Sequence, residues 1–338
     1  MTFWNFARST ASVRLLMTFG EEQGVPAATL LRGTGLSAPD LVDPALEITA
    51  KQELRVVSNL VLERGDPVRL GIEVGRRYRF STFSLWGYGL ISSATGLEAI
   101  ALALRFLPLT YAYCPITFHQ ENQLGVLRFD DPGPSIGEPE RSFLTLRDMA
   151  AAATLGSALV GGDFALRSFT LRAPERVPDT MLFGMDAEVN SAVNSLVFDL
   201  VPFERSLPNA DPVTSALCEQ MCSSLLQRRC NEFRTSACAH DFLSALPPKA
   251  IASLSDFALF AGTSERTIKR RLHDEGTSFS QISADFRYRL AKELLNDTVL
   301  NIADIAERVG FSDASSFSQA YKKWSGVAPS HYRRRYPR

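Results

Sequence analysis

The 338-residue sequence lacks the short motifs that mark several common catalytic and cofactor sites. It contains no G-x-x-x-x-G-K loop for phosphates, no G-x-G-x-x-G dinucleotide fingerprint and no H-E-x-x-H zinc motif. Histidine, the side chain best suited to proton transfer near neutral pH, occurs only four times. These absences predict that the protein is not an enzyme and that it holds neither a metal ion nor a cofactor.

Long apolar runs are also missing. No window of about 20 residues is apolar and free of charge, which is what a transmembrane helix needs. The N-terminal segment carries two arginines and has no apolar stretch of signal-peptide length. We therefore expect a cytoplasmic protein with no transmembrane helix and no membrane partner.

Cysteine is scarce, with five residues, an odd number that does not suit a disulfide framework. Cys218 and Cys222 are spaced to share one face of a predicted helix, so a metal or redox site is one interpretation. We favour the other, in which the thiols are reduced and buried as small apolar groups.

The chain as a whole has no large excess of either charge, since its net charge is −1. The charges are nevertheless unevenly distributed along it. From Lys249 to the C-terminus, 15 Lys and Arg residues accompany 10 Asp and Glu residues, whereas the rest of the chain has 21 against 27. A basic C-terminal region on an acidic body predicts a nucleic-acid partner.

The N-terminal part of the chain is predicted to be an α+β domain. Apolar residues at helical spacing recur up to Leu109. Alternating patterns then predict strands at 111–119, 124–129, 164–171 and 196–201. An Ala-rich amphipathic helix is predicted over 140–160. It can pack against the sheet or against a second subunit, and we favour the sheet.

Beyond a group of prolines near 202–212, the sequence predicts consecutive helices that contain an internal repeat. In each copy a helix is followed by a turn glycine, Gly262 or Gly310, and by an N-cap, Ser264 or Asp313. A second helix follows, and the turn of the second copy is one residue longer. This is the layout of a helix-turn-helix unit. The two copies span residues 254–272 and 301–321.

The second helix of each copy is the candidate recognition helix. Its inward anchors are Ile268 and Leu272 in the first copy, and Phe317 and Tyr321 in the second. In the first copy the outward residues predicted to contact bases are Arg266, Thr267, Lys269 and Arg270. In the second copy they are Ser315, Ser316 and Gln319. The predicted phosphate contacts are His273, Lys322, Lys323 and Arg333. A single helix of this kind would more often be a solvated polar face, but the repeat and the basic charge together favour DNA binding.

Between the copies, Ser278–Leu295 predicts a linker helix about 27 Å long. A connector of this length could set two recognition helices about one turn of B-DNA apart, near 34 Å. One chain could then read two successive major grooves.

The segment Gly310–Arg333, with the sequence GFSDASSFSQAYKKWSGVAPSHYR, resembles the signature of the AraC/XylS family of bacterial transcription regulators. ERTIKRRLHDEGTSF resembles that family's first recognition helix and the start of its linker helix, and the match covers roughly residues 235–335. The preceding 200 or so residues resemble, more loosely, the "arabinose-binding" effector domain of one subfamily. The resemblance implies an activator or repressor with an N-terminal sensing and dimerising domain. The implied partners are double-stranded DNA, a second copy of the chain and RNA polymerase.

By position, the resemblance carries base-reading roles to Arg266, Lys269 and Arg270, and to Ser315, Ser316 and Gln319. This sequence departs from the signature at Gln319, where the family usually has Arg, which favours adenine over guanine. Ala328 replaces the usual Ser or Thr before Pro329, and Ala261 and Thr263 are smaller or more polar than usual around the first turn.

Aromatic residues are dense where the predicted helices give way to strands, and arginines lie beside them in the sequence. We predict a pocket there for a small effector that is either apolar or carboxylate-bearing. The alternative is an ordinary aromatic core beside a solvated run of arginines. The predicted pocket residues are Arg77, Arg79, Phe83, Trp86, Tyr88, Tyr111 and Tyr113.

The predicted organisation is an α+β N-terminal effector domain followed by an all-α domain with two helix-turn-helix units joined by a linker helix. Residues 1–205 would sense the effector and dimerise, 206–234 would connect, and 235–338 would bind DNA. The predicted function is a sequence-specific, DNA-binding transcription regulator controlled by a small ligand. The alternative is a regulator without a small ligand, controlled by a partner protein or by its own expression level.

Overall fold

The structure, a computed structural model, describes residues 7–133, 136–172, 184–232, 235–244, 252–261, 263–296 and 300–335. The chain divides between Arg229 and Cys230 into two compact units. The N-terminal unit combines helices with a four-stranded antiparallel sheet, and the described part of the C-terminal unit is helical. An α+β region followed by an all-α region is therefore confirmed.

The strands form two antiparallel sheets. Arg8–Ser9 (β1) pairs with Glu47–Ile48 (β2) near the N-terminus. The larger sheet has the order β3-β4-β6-β5, in which β3 and β4 form the predicted hairpin. Its strands are β3 (Ile116–Glu121), β4 (Leu124–Phe129), β5 (Leu166–Thr170) and β6 (Asn194–Asp199).

Nine helices begin in the described part of the first unit, with short 3-10 turns between some of them, and the last of the nine extends past the boundary to Glu232. They are α1 (Ala11–Glu22), α2 (Ala27–Leu30), α3 (Ala50–Arg64), α4 (Pro67–Gly75), α5 (Leu85–Ile91), α6 (Gly96–Arg105), α7 (Glu138–Val160), α8 (Val201–Glu204) and α9 (Pro212–Glu232).

The first strand of the hairpin begins later than the alternating pattern predicted, at Ile116 instead of Tyr111. The backbone N–H groups of Tyr113 and Cys114 donate to Oδ2 of Asp148 at 2.7 and 2.9 Å. Because a helix side chain uses these donors, the segment before Ile116 does not join the sheet ladder. The prediction of a strand over 111–115 was therefore wrong.

Helix α7 packs in the core of the first unit, which confirms the favoured interpretation of the Ala-rich segment. Its buried apolar residues contact α4 and the sheet. Glycines on α4 allow the two helices to touch, because a Cβ at Gly71 or Gly75 would lie 2.5 or 2.4 Å from the carbonyl oxygens of Phe143 or Arg147. Among the described residues α7 alone has the length and apolar composition to span a bilayer. Core packing accounts for that composition.

Two cysteines of α9, Cys218 and Cys222, are small buried residues. Cys218 and Cys222 are buried and free, on the face that turns inward. Cys238 is disulfide-bonded, so the expectation that every thiol is reduced was wrong. Within the described ranges, no group of three or more His, Cys, Asp or Glu side chains is arranged to hold a metal ion.

The C-terminal unit follows the predicted repeat. Each copy contributes a short first helix and a longer second helix, and one long helix lies between the copies. The segment between paired helices has four residues in the first copy, 261–264, and five in the second, 309–313. Gly262 lies outside the described residues. The helices are α10 (Thr235–Ser244), α11 (Leu254–Phe260), α12 (Glu265–Asp274), α13 (Phe279–Asn296), α14 (Ile302–Arg308), α15 (Ala314–Ser325) and α16 (Pro329–Arg335).

Candidate DNA-binding surface and ligand cavity

Side-chain caps start both helices of the first helix-turn-helix unit. Ser253 accepts from the backbone N–H of Asp256, whose carboxylate accepts in return from the backbone N–H of Ser253, forming a capping box at α11. Ser264 accepts from the backbone N–H of Thr267 at 3.3 Å and caps α12 as predicted. The turn is closed by the N–H of Thr263, which donates to the carbonyl of Ala258 at 2.9 Å.

The second unit repeats these contacts. Asn301 caps α14, and Asp313 caps α15 by accepting from the backbone N–H of Ser316 at 2.7 Å. That backbone hydrogen bond is the main reason why the pKa of Asp313 lies below its ordinary value. The N–H of Phe311 donates to the carbonyl of Ala306 at 2.8 Å. Gly310 has a φ of +86°, as predicted for the turn glycine.

The predicted anchors are the buried side chains of each recognition helix. Ile268 and Leu272 of α12 are each 1% exposed, and Phe317 and Tyr321 of α15 are fully buried. Two anchors one helical turn apart fix which face of a helix is turned outward. The two recognition helices are therefore oriented by the same device.

The linker helix α13 contributes to the core of both copies. Near its start, Phe279 stacks on Phe257 at 5.4 Å between ring centroids. Near its end, Ala291 and Leu295 are buried in the hydrophobic core of the second copy, and the ring centroids of Tyr288 and Tyr321 lie 5.6 Å apart. The helix has 18 residues, which corresponds to about 27 Å.

The outward face of α12 carries four exposed basic side chains, which are Arg266, Lys269, Arg270 and His273. Thr267 is half-buried, and its hydroxyl lies 3.0 Å from Oγ of Ser264. Thr267 therefore helps to build the cap, while the four basic residues remain on the surface. Lys269 also approaches Glu265 at 3.6 Å, a pair exposed to solvent.

The outward face of α15 is polar and carries less charge. Ser315 and Gln319 are exposed, and Lys322 and Lys323 are exposed one turn further along. The hydroxyl of Ser316 donates to Oδ2 of Asp313 at 2.8 Å, so it is engaged in the cap. The most available groups of this helix are therefore an amide, a hydroxyl and two ammonium groups.

Arg333 differs from the other predicted phosphate-binding residues. It lies on α16 and is half-buried. Its Nε and Nη2 atoms are shielded from solvent and have no hydrogen-bond partner among the described residues. The local sequence, with three consecutive arginines, gave no sign of this burial.

The N-terminal unit contains a cavity of about 120 Å³. It lies between α5, α6, α7 and the inner face of the sheet. Its wall is formed almost entirely by aromatic and aliphatic side chains, including Phe83 of the 3-10 turn before α5, Leu104 of α6, Leu155 of α7 and Phe198 of β6.

Three of the seven predicted pocket residues line this cavity, and these are Phe83, Trp86 and Tyr111. Tyr113 is fully buried elsewhere, where its hydroxyl donates to the carbonyl of Ala50. Tyr88 is 57% exposed on the outer face of α5. Neither Tyr88 nor Tyr113 lines the cavity, so the prediction that they belong to the pocket was wrong.

The arginines predicted to meet an anion do not line the cavity either. Arg77 forms a salt bridge with Glu22 and lies over the ring of Phe19. Arg79 donates to the carbonyls of Arg76 and Tyr78. Both residues come directly after the end of α4. They are neighbours of Tyr78 in sequence, but their side chains do not lie on the side where Tyr78 is buried.

A network of buried charged side chains lies at one side of the cavity. The sequence analysis did not predict it. Arg147 of α7 lies in the wall, where its Nε and Nη2 donate to Oδ1 of Asp148 at 3.0 and 2.8 Å. Its Nη1 donates to Oε1 of Glu53 at 3.2 Å, and Nη2 also donates to the carbonyl of Tyr111 at 2.6 Å. Arg8 donates to Oε2 of Glu53 at 3.0 Å.

All four charged side chains of this network are shielded from solvent. Burial by itself would lower the pKa of Arg147, but Asp148, Tyr78 and Glu53 beside it raise that pKa well above its ordinary value. Burial raises the pKa of Tyr78, whose hydroxyl lies 2.6 Å from Oγ of Ser12. The network therefore places two guanidinium groups beside two carboxyl groups.

Residues 133–137 read GPSIG, which has the G-x-S-x-G spacing of a hydrolase nucleophile turn. That turn requires a strand followed at once by a helix in a mainly parallel sheet. Here β4 ends at Phe129, α7 begins at Glu138 and the sheet is antiparallel. Ser135 lies outside the described residues, and the context does not support a catalytic serine.

Known proteins resemble both units of the chain. A family model described as "Arabinose-binding domain of AraC transcription regulator" matches residues 24–206, and one described as "Helix-turn-helix domain" matches residues 257–335. An uncharacterized HTH-type transcriptional regulator of Mycobacterium tuberculosis is 31% identical over 96% of this chain and 95% of its own length. The ornithine utilization regulator of Pseudomonas aeruginosa is 29% identical over 80% of this chain and 79% of its own length. The crystal structure of the transcriptional regulator CdpR from Pseudomonas aeruginosa aligns over 96% of this chain and 98% of its own, with 22% identity and a TM-score of 0.49.

Proposed function

This chain belongs to the AraC family of DNA-binding transcription regulators, and we propose that it reads two successive major grooves under the control of a small molecule bound in its N-terminal unit. The single observation that carries the DNA-reading proposal is the repeated geometry of α12 and α15. Each is capped at its start, anchored by two buried side chains and polar on its outward face.

In the first unit, Arg266, Lys269 and Arg270 are the proposed base-reading residues. Their exposed side chains can reach guanine O6 and N7, the acceptors that arginine and lysine recognise in the major groove. Thr267 is assigned a smaller role, because its hydroxyl is already engaged with Ser264.

In the second unit, Gln319 is the main proposed base-reading residue, with Ser315 beside it. A glutamine amide pairs with adenine N6 and N7, so we expect an adenine in that half of the site. Ser316 contributes less, because its hydroxyl donates to Asp313.

Phosphate contacts are proposed for His273, Lys322 and Lys323, which are exposed beyond the base-reading positions. Such contacts position a protein on the duplex but carry no sequence information. Arg333 is a weaker candidate, because two of its guanidinium nitrogens are shielded from solvent.

Control by a small ligand is supported by the apolar cavity of the N-terminal unit. We assign sensing and dimerisation to residues 1–205, connection to 206–234 and DNA binding to 235–338. Membership of the family also supports a homodimer, a contact with RNA polymerase and a cytoplasmic location.

The test is selection of binding sites from random DNA by the full chain. We expect a bipartite site with two blocks about one helical turn apart. Arg270→Ala should relax sequence preference at a base pair of one block only, and Gln319→Ala at a base pair of the other. Arg64→Ala, at an exposed position of α3, is the matched control and should select the wild-type site.

If the selected DNA contains only one conserved block, the proposal that one chain reads two successive major grooves is wrong. If no small molecule changes the affinity for the selected site, control by a partner protein or by expression level is favoured instead.

A further inference from the structure

The cavity offers a ligand almost no free polar group. Six of its lining residues carry polar side-chain atoms, and each of these groups has a partner within the protein. The Nε1 of Trp86 donates to the carbonyl of Ala103, and Oγ1 of Thr110 donates to the carbonyl of Leu107. The hydroxyl of Tyr111 lies 2.5 Å from Oγ of Ser9. The six residues are Tyr78, Trp86, Thr110, Tyr111, Arg147 and Asp148.

Among the described residues of the wall, the one cation is already neutralised. Arg147 is held by Asp148 and Glu53, and Glu53 is shared with Arg8, so two buried cations face two buried carboxylates. A ligand carboxylate would compete with Asp148 and Glu53 for the guanidinium of Arg147, and would have to displace one of them to form an equivalent paired contact. That would leave a buried carboxylate without its counter-ion, an arrangement that strongly disfavours binding.

A sugar meets a similar obstacle. Each hydroxyl group that enters an apolar site without a hydrogen-bond partner weakens binding by about tenfold or more. Arabinose carries several hydroxyl groups, and the described residues of the aliphatic and aromatic wall provide no unpaired polar side chain to receive them.

The size of the cavity restricts the ligand further. A volume of about 120 Å³ is close to that of an engineered cavity of about 150 Å³, lined by Leu, Ile and Phe, which stays dry and binds benzene. A single aromatic ring or a short branched hydrocarbon is of matching size.

From the lining, the charge balance and the volume, we propose that this cavity binds a small, neutral, apolar molecule of about the size of toluene, and neither a sugar nor a carboxylate. The proposal rests on the cavity being the effector site of the proposed function. It departs from what the name of the matching family model suggests.

The test compares three probes on the full chain, namely toluene, benzoate and L-arabinose, at equal concentrations. Benzoate keeps the ring of toluene and replaces its methyl group with a carboxylate. Toluene at about ten times its Kd should raise the Tm of the N-terminal unit by about 3–5 °C. Benzoate and arabinose should leave the Tm unchanged, and titration calorimetry should show binding of toluene alone.

Two substitutions on α6 locate the site. Ala103 lines the cavity, whereas Ala101 is exposed on the same helix. Ala103→Phe should abolish the toluene shift, and Ala101→Phe should retain it. Gly156→Ala provides a milder variant, because its added Cβ would meet Phe164 and Phe203 at 3.4 and 3.6 Å, ordinary contact distances. It should fold and bind toluene more weakly.

Binding of arabinose or benzoate that is lost in Ala103→Phe would overturn the proposed ligand class while leaving an effector site in place. The absence of toluene binding to folded wild-type protein would also overturn it. Toluene binding that leaves the affinity for the selected DNA site unchanged would support the cavity assignment and contradict ligand control, so the two proposals fail separately.

Discussion

Replacing Arg147 with methionine should destabilise the N-terminal unit strongly. The variant removes the hydrogen bonds that Arg147 donates to Glu53 and Asp148, both shielded from solvent. Removal of one partner of a buried ion pair typically costs about 3–5 kcal/mol. Glu53 keeps Arg8, and Asp148 keeps two backbone N–H donors, so we expect the lower end, about 3 kcal/mol.

The matched control is Arg69→Met on α4. Arg69 pairs with Glu73 at 3.0 Å, but its side chain is one third exposed. Pairs of this kind contribute about 0.3–0.5 kcal/mol. Urea unfolding of the full chain, followed by circular dichroism, gives the free energy of the transition that belongs to the N-terminal unit. If Arg147→Met lowers the free energy of unfolding by no more than Arg69→Met does, the view that Arg147, Glu53 and Asp148 depend on one another is refuted.

Three further predictions concern the DNA-binding surface, a buried thiol and a helix cap. Arg270→Ala should relax specificity at one base pair by about 1–3 kcal/mol. Lys322→Ala should weaken binding to all DNA sequences alike, and should reduce the slope of log affinity against log salt concentration by about 1. Binding titrations at several salt concentrations measure both effects. Burial raises the pKa of Cys222 to about 11. Its thiol should therefore resist alkylation at pH 8 in native protein, and rapid alkylation would contradict this. The protonated thiol contributes its full stabilisation at pH values below the pKa of the thiol in the unfolded chain. That contribution should fall as the pH rises towards 11. Ser264→Ala should cost about 1 kcal/mol and Ser264→Gly only a few tenths, by thermal unfolding, and equal losses would argue against a capping role.

The helix-turn-helix units could be predicted because their determinants are local. A cap, a turn glycine and two anchors four residues apart all lie within about 20 residues. The caps and anchors of α12 and α15 are where the pattern put them, and so is the turn glycine of the second copy, Gly310. The caps Ser253 and Asn301 were missed, although each precedes an apolar stretch by the spacing that marks a helix start.

The cavity could be predicted only in part, because its wall is assembled from distant segments. Phe83, Trp86 and Tyr111 were found through their aromatic density. Arg147 and Glu53 were not, since they are 94 residues apart and neither belongs to a recognisable motif. The arginines after α4 were chosen for their proximity in sequence, and at the end of a helix neighbouring side chains point in different directions.

The surroundings of α7 also bear on how the protein can dimerise. Eight consecutive residues of this helix, 143–150, are buried, so no face of that stretch is left for another chain. One side meets the glycines of α4, another meets the sheet, and Arg147 and Asp148 complete the charged network. A helix that is apolar all round belongs in the interior of a protein, and this one tolerates two charges there because they pair with each other and with Glu53. The middle of α7 is thereby excluded as a subunit contact, and the homodimer expected from the family must be built on other surfaces.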